Sequence, residues 1–66
     1  MTVELEKMLF DLSEQMTREV YDLNSTRKKY HEGILAKEDI KSFLEALGKR
    51  QKEVHERLRE ILMMIY

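Results

Sequence analysis

Arg27-Lys-Lys-Tyr-His-Glu-Gly-Ile-Leu-Ala-Lys-Glu-Asp39 is the stretch that decides the architecture of this chain. Lys28, Lys29 and His31 are cations of the kind favoured in the last turn of a helix, and Gly33 follows as a residue able to end it in the left-handed conformation. Glu38 and Asp39 then mark the first turn of a second helix, where the helix dipole favours negative charge. Only Ile34, Leu35 and Ala36 are left for the connection, which is too short for anything but an antiparallel neighbour.

Working back from the turn, Leu5, Leu9, Leu12, Met16, Val20, Leu23 and Tyr30 recur at gaps of three, four and seven. That is the stripe of an amphipathic helix and not the alternation of a strand. Thr2 is positioned as its N-cap, with Glu4 and Glu6 in the first turn. Working forward, Ile40, Phe43, Leu44, Leu47, Val54, Leu58, Ile61 and Ile65 form the second stripe. Gly48 interrupts it, at a helix cost of about 1 kcal/mol relative to alanine, and marks either a close helix approach or a weak point. Glu45–Lys49, Lys49–Glu53, Glu53–Arg57 and Lys52–Glu56 are candidate ion pairs one turn apart on the outer surface.

The expectation is an all-α, coiled-coil-like antiparallel two-helix hairpin occupying residues 1–66 as a single domain. Helix one covers about residues 3–32, the turn about 33–36 and helix two about 37–65. Each helix is then about 45 Å long at 1.5 Å per residue. Antiparallel pairing sets Tyr30 near Ile40, Leu23 near Leu47, Met16 near Val54 and Leu9 near Ile61, with Leu23, Leu44, Leu47 and Val54 as structural core. The middle of the seam is thin, because Glu19, Thr26, Arg50 and Gln51 fall on or beside it.

Composition narrows the function. Sixty-six residues give a single core that rarely supplies more than roughly 3–5 kcal/mol. Without cysteine there is neither a disulfide framework nor a metal site built on sulfur. Twelve Lys and Arg against thirteen Asp and Glu leave a net charge of −1, with no pull toward nucleic acid or acidic membranes. No basic segment precedes an apolar stretch near Met1, as a secretory signal requires. The apolar C-terminal run is far shorter than the ~20 residues that span a bilayer. These features lead to the expectation of a soluble, cytoplasmic protein that does not bind membranes.

Chemistry-bearing groups are sparse. His31 and His55 fall on different helices, distant from one another, and read as solvated surface residues. The carboxylates have no cavity in a hairpin to desolvate them, so catalysis, cofactors, metal binding and a small-molecule substrate are not expected. Arg27-Lys28-Lys29 is a short basic cluster beside Glu32, Glu38 and Asp39, and reads as a solvated helix end before it reads as a phosphate contact. Asn24-Ser25-Thr26 matches a glycosylation acceptor but lies mid-helix.

The apolar residues are another matter. Val54-His-Glu-Arg-Leu-Arg-Glu-Ile-Leu-Met-Met-Ile-Tyr66 grows steadily more hydrophobic, and its end is apolar on nearly every side. In the hairpin it meets Met1, Val3, Leu5, Met8, Leu9, Phe10 and Leu12, and two helices cannot bury both sets against each other. Met8, Phe10, Leu62 and Met63 are expected to point off the seam. An exposed surface of this kind, with adaptable methionines, marks a protein interface. The candidate partner-binding residues centre on Leu5, Leu9, Leu12, Leu58, Ile61, Leu62 and Ile65, with Met8, Phe10, Met63 and Tyr66 at the edges. They complete a bundle either with a partner protein or, for the chain alone, with a second copy as a homodimer.

Thr2, Leu5-Glu6, the basic stretch Arg27-Lys28-Lys29, a short turn and the aliphatic Ile61-Leu-Met-Met-Ile-Tyr66 ending together resemble the small cochaperones of type III secretion needle subunits. The resemblance covers nearly the whole chain; Gly48 and the high charge density of helix two depart from the pattern. It implies a helical hairpin that stabilises a larger chaperone built of helical repeats. That chaperone in turn holds the needle subunit monomeric in the bacterial cytoplasm before export. Two other readings use the same apolar faces: a homodimeric four-helix-bundle regulator of nucleic acid, and a small antagonist sequestering a bacterial enzyme or sigma factor. The regulator needs a continuous basic stripe, which Arg27 to Lys29 is too short to provide.

Overall fold

The computed structural model describes residues 3–66, so the expected N-cap at Thr2 lies outside the described residues. It is an all-α hairpin of α1 (Val3–His31) and α2 (Lys37–Ile65), packed antiparallel along their length. Both boundaries fall within a residue of those expected.

The turn forms by two local devices. Gly33 adopts φ +78°, the left-handed region open to a residue without Cβ. Its N–H donates to the Tyr30 carbonyl at 3.1 Å, and the Ile34 N–H reaches the Lys29 carbonyl at 2.9 Å. These two bonds are a Schellman C-cap, which satisfies carbonyls that the helix end would otherwise orphan. Three residues after Gly33, Ala36 is the N-cap of α2 and has no side-chain acceptor to offer. Asp39 compensates from within the first turn: its Oδ2 accepts the Ala36 N–H at 2.9 Å.

The hairpin measures 48 × 16 × 11 Å, so it is one helix thick. Its core is correspondingly small. Leu12, Val54 and Ile61 are buried, and Leu5 and Met8 pack against them. On α1 the residues drawn toward α2 are Leu5, Met8, Leu12, Gln15, Glu19 and Asp22, at strictly alternating gaps of three and four. This is a coiled-coil seam, the narrow line along which two helices touch.

That seam corrects the expected packing of α1. Leu9, Met16, Val20, Leu23 and Tyr30 are exposed rather than buried against α2, although Leu23 borders Leu47 and Tyr30 borders Ile40 as the antiparallel pairing expects. Of the four residues expected as core, Val54 is buried and Leu47 half-buried, while Leu23 and Leu44 stay 43% and 50% exposed. The apolar stripe is wider than one seam, and a single partner helix covers only one edge of it. Met8, expected off the seam, lies on it for the same reason. The thin middle is present as read: Glu19 and Gln51 meet across the helices there. Gly48 meets nothing within 4 Å of where a Cβ would stand, so it does not serve a close helix approach. The expected ion pairs along α2 do not close to contact distance, as suits long exposed side chains whose pairing gains little.

Candidate functional site

The two broad sides of the hairpin differ in kind. On one side, Met16, Val20 and Leu23 of α1 border Leu47 and Gln51 of α2. Nearer the turn the same side opens into a groove of about 560 Å³, walled by Leu23, Tyr30, Ile40, Phe43 and Leu44. Helical spacing extends this face to the open end. Leu62 stands eighteen residues, five full turns, beyond Leu44, and Leu9 stands eighteen before Arg27, which also lines the groove. Both leucines are about half exposed. The result is a long apolar face, interrupted on α2 by Gln51 and His55, on a molecule with little interior.

The other side is charged. Gln15, Arg18, Asp22, Arg50, Glu53 and Arg57 line a shallow polar groove there. Arg50 and Asp22 form an ion pair at 3.6 Å across the helices, with both side chains about half exposed, so it is worth little energetically. Amphipathicity has thus moved from the single helix to the hairpin as a whole.

Between the faces lies a buried polar contact. Glu19 is 6% exposed, and its Oε2 accepts a hydrogen bond from Gln51 Nε2 at 2.6 Å. Its Oε1 takes a longer contact, 3.5 Å, from Gln15 Nε2. The Gln15 Oε1 is itself buried without a hydrogen-bond partner. A polar pair at mid-seam fixes register, since slipping either helix by a turn would leave the carboxylate buried against apolar side chains.

The expected interface residues divide into three groups. Leu12 and Ile61 are the hairpin's own core, with Leu5 and Met8 packed against them. Leu9, Leu58, Leu62 and Ile65 are exposed along the apolar side. Phe10 and Met63 stand on the outer flanks: Met63 is nine residues, two and a half turns, from buried Val54 and so points the opposite way. Tyr66 follows the end of α2 and is almost fully exposed. The apolar surplus is therefore not confined to the open end. Met16, Val20, Leu23, Tyr30 and Leu44, assigned from sequence to the hairpin seam, belong to the same exposed face.

The area supports this picture. The chain exposes 5843 Å², whereas a compact monomer of 8.0 kDa exposes about 4,500 Å². The surplus exceeds the roughly 800 Å² that each partner contributes to a standard protein interface. Among the described residues, no three of His, Cys, Asp and Glu are grouped to hold a metal ion. His31 ends α1 and His55 lies mid-α2, exposed beside Lys52, Glu56 and Arg59. No described helix is long and apolar enough to cross a membrane.

Compared with known proteins, the chain matches no family model, no curated protein and no solved structure.

Proposed function

We propose that this chain is a non-enzymatic interaction module that docks its apolar face onto a larger helical protein. The observation that carries the proposal is the apolar side running from Leu9 and Leu62 to Tyr30 and Leu44, backed by a charged side and, among the described residues, only three buried hydrophobic ones. A free face of this extent on a monomer marks a binding surface. A hairpin one layer thick becomes a stable bundle when a second helical layer covers it.

The partner we infer is a chaperone of helical repeats. Such solenoids expose an apolar end that needs a cap, and a hairpin with one apolar and one charged side has the shape of a capping repeat. With the resemblance to type III secretion cochaperones, this gives a specific reading. The hairpin caps and stabilises the larger chaperone, which holds a needle subunit in the cytoplasm until export.

Coexpression with a helical-repeat protein encoded beside this chain tests the reading. Leu9→Asp and Leu62→Asp, both on the exposed face, should abolish retention of that partner, whereas Lys49→Ala should leave it intact. Equal retention by all three variants would sink the proposal.

A further inference from the structure

The groove at the turn end carries more information than apolarity. Its floor and walls come from Leu23 and Tyr30 of α1 and from Ile40, Phe43 and Leu44 of α2. Two charged side chains line it, Arg27 and Lys37, one from each helix, and both are cations. The acids of the neighbouring turn are directed elsewhere. Asp39 is committed to the Ala36 N–H, and neither Asp39, Glu38 nor Glu32 lines the groove.

From this placement we propose that the turn-end groove takes an acidic amphipathic helix of a protein partner. Two turns of that helix would insert apolar side chains between α1 and α2, with carboxylates against Arg27 and Lys37. The inference rests on the apolar face being a partner site and goes further by fixing where the partner's anchor sits and what charge it bears. Helical geometry favours this occupant. Leu23, Arg27 and Tyr30 follow one line of α1, Lys37, Ile40 and Leu44 one line of α2, and the groove between two packed helices is the natural seat of a third. Charge sets the sign: Arg27 and Lys37 are the charged side chains lining the groove, beside the neutral Asn24 and Thr26, so it disfavours a basic helix by repulsion and favours one that brings carboxylates. The net charge of −1 argues against a general attraction to anionic surfaces, so the positive edge acts locally.

The test titrates the full-length, isotope-labelled chain with three probes and follows its amide resonances. They are a helical peptide with leucines at i, i+3 and i+7 flanked by glutamates, its lysine-for-glutamate counterpart, and vesicles of phosphatidylglycerol. The acidic peptide should shift amides of residues 23–30 and 37–44. The lysine peptide should bind about ten-fold weaker or less, as a reversal of two facing charges predicts. Arg27→Glu with Lys37→Glu should reverse the preference between the two peptides, and since both positions are exposed its circular dichroism should match the parent. Equal binding of both peptides, shifts confined to the open end, shifts produced by the vesicles but not the peptide, or a groove already closed by a second copy would each overturn the proposal. If the double reversal leaves capture of a coexpressed helical-repeat partner intact while Leu23→Asp abolishes it, the groove assignment fails and the capping function stands.

Discussion

Glu19 and Gln51 meet at mid-hairpin through a 2.6 Å hydrogen bond, the donor on α2 and the buried carboxylate on α1. It lies in the seam where an apolar pair would pack more simply. Gln51→Leu removes the short donor and leaves the carboxylate with the long contact to Gln15. We expect a loss of about 1–3 kcal/mol, the usual cost of a buried group left unsatisfied. Replacing both, Glu19→Leu with Gln51→Leu, should restore or raise stability, because the desolvated charge is gone. Denaturant melts of the three chains measure this, and a double variant no more stable than Gln51→Leu would contradict it.

Gly48 and Gly33 should respond to alanine in opposite directions. Nothing lies within 4 Å of a Cβ at Gly48, so Gly48→Ala should stabilise by about 0.5–1 kcal/mol through helix propensity alone. Gly33 sits at φ +78°, where an L side chain costs roughly 1–2 kcal/mol. Thermal melts should therefore separate the two variants by several degrees, about 4–8 °C per kcal/mol for a chain this small. Equal melting temperatures would show that the turn does not depend on the left-handed residue.

Asp39 is the sole side-chain cap at the start of α2, since Ala36 carries no acceptor. Asp39→Ala should cost about 1 kcal/mol and fray the first turn, with Asp39→Asn losing less. Hydrogen exchange at residues 36–40 reads this directly. Unchanged protection there would mean that the turn is held by the Gly33 cap alone.

Much of the fold was legible because its signals are local. The cations before Gly33, the short connection and the acids at residues 38–39 place the turn without reference to anything distant. The rotation of α1 was not legible, for a physical reason. The true seam runs through Gln15, Glu19 and Asp22, which a count of apolar residues passes over in favour of Leu9, Met16, Val20 and Leu23. Both lines follow helical spacing, and only the position of α2 decides between them. The same displacement explains the candidate site. Excess hydrophobicity was visible at the open end, where Leu62 to Tyr66 crowd together. Its continuation to Tyr30 and Leu44 was hidden because those residues looked like core.

The division between core and exposed face should appear in single truncations. Val54→Ala, at 2% exposure, should cost about 2 kcal/mol by removing buried methyl groups from the small core it forms with Leu12 and Ile61. Leu23→Ala should leave the stability of the free chain within about 0.5 kcal/mol, as surface changes do. Comparable losses at the two positions would place Leu23 in the core after all.

The central claim is that the apolar side of the hairpin, and not its outer flank, receives another protein. Light scattering on mixtures with a helical-repeat protein encoded beside the chain tests it most directly. The comparison is between Leu23→Asp on the apolar face and Tyr21→Asp on the outer flank, where Tyr21 is 72% exposed. The account predicts a stable heteromeric complex for the parent chain and for Tyr21→Asp, and separate components for Leu23→Asp. Complexes of equal mass with both variants, or a parent chain that forms only a dimer of itself, would contradict it.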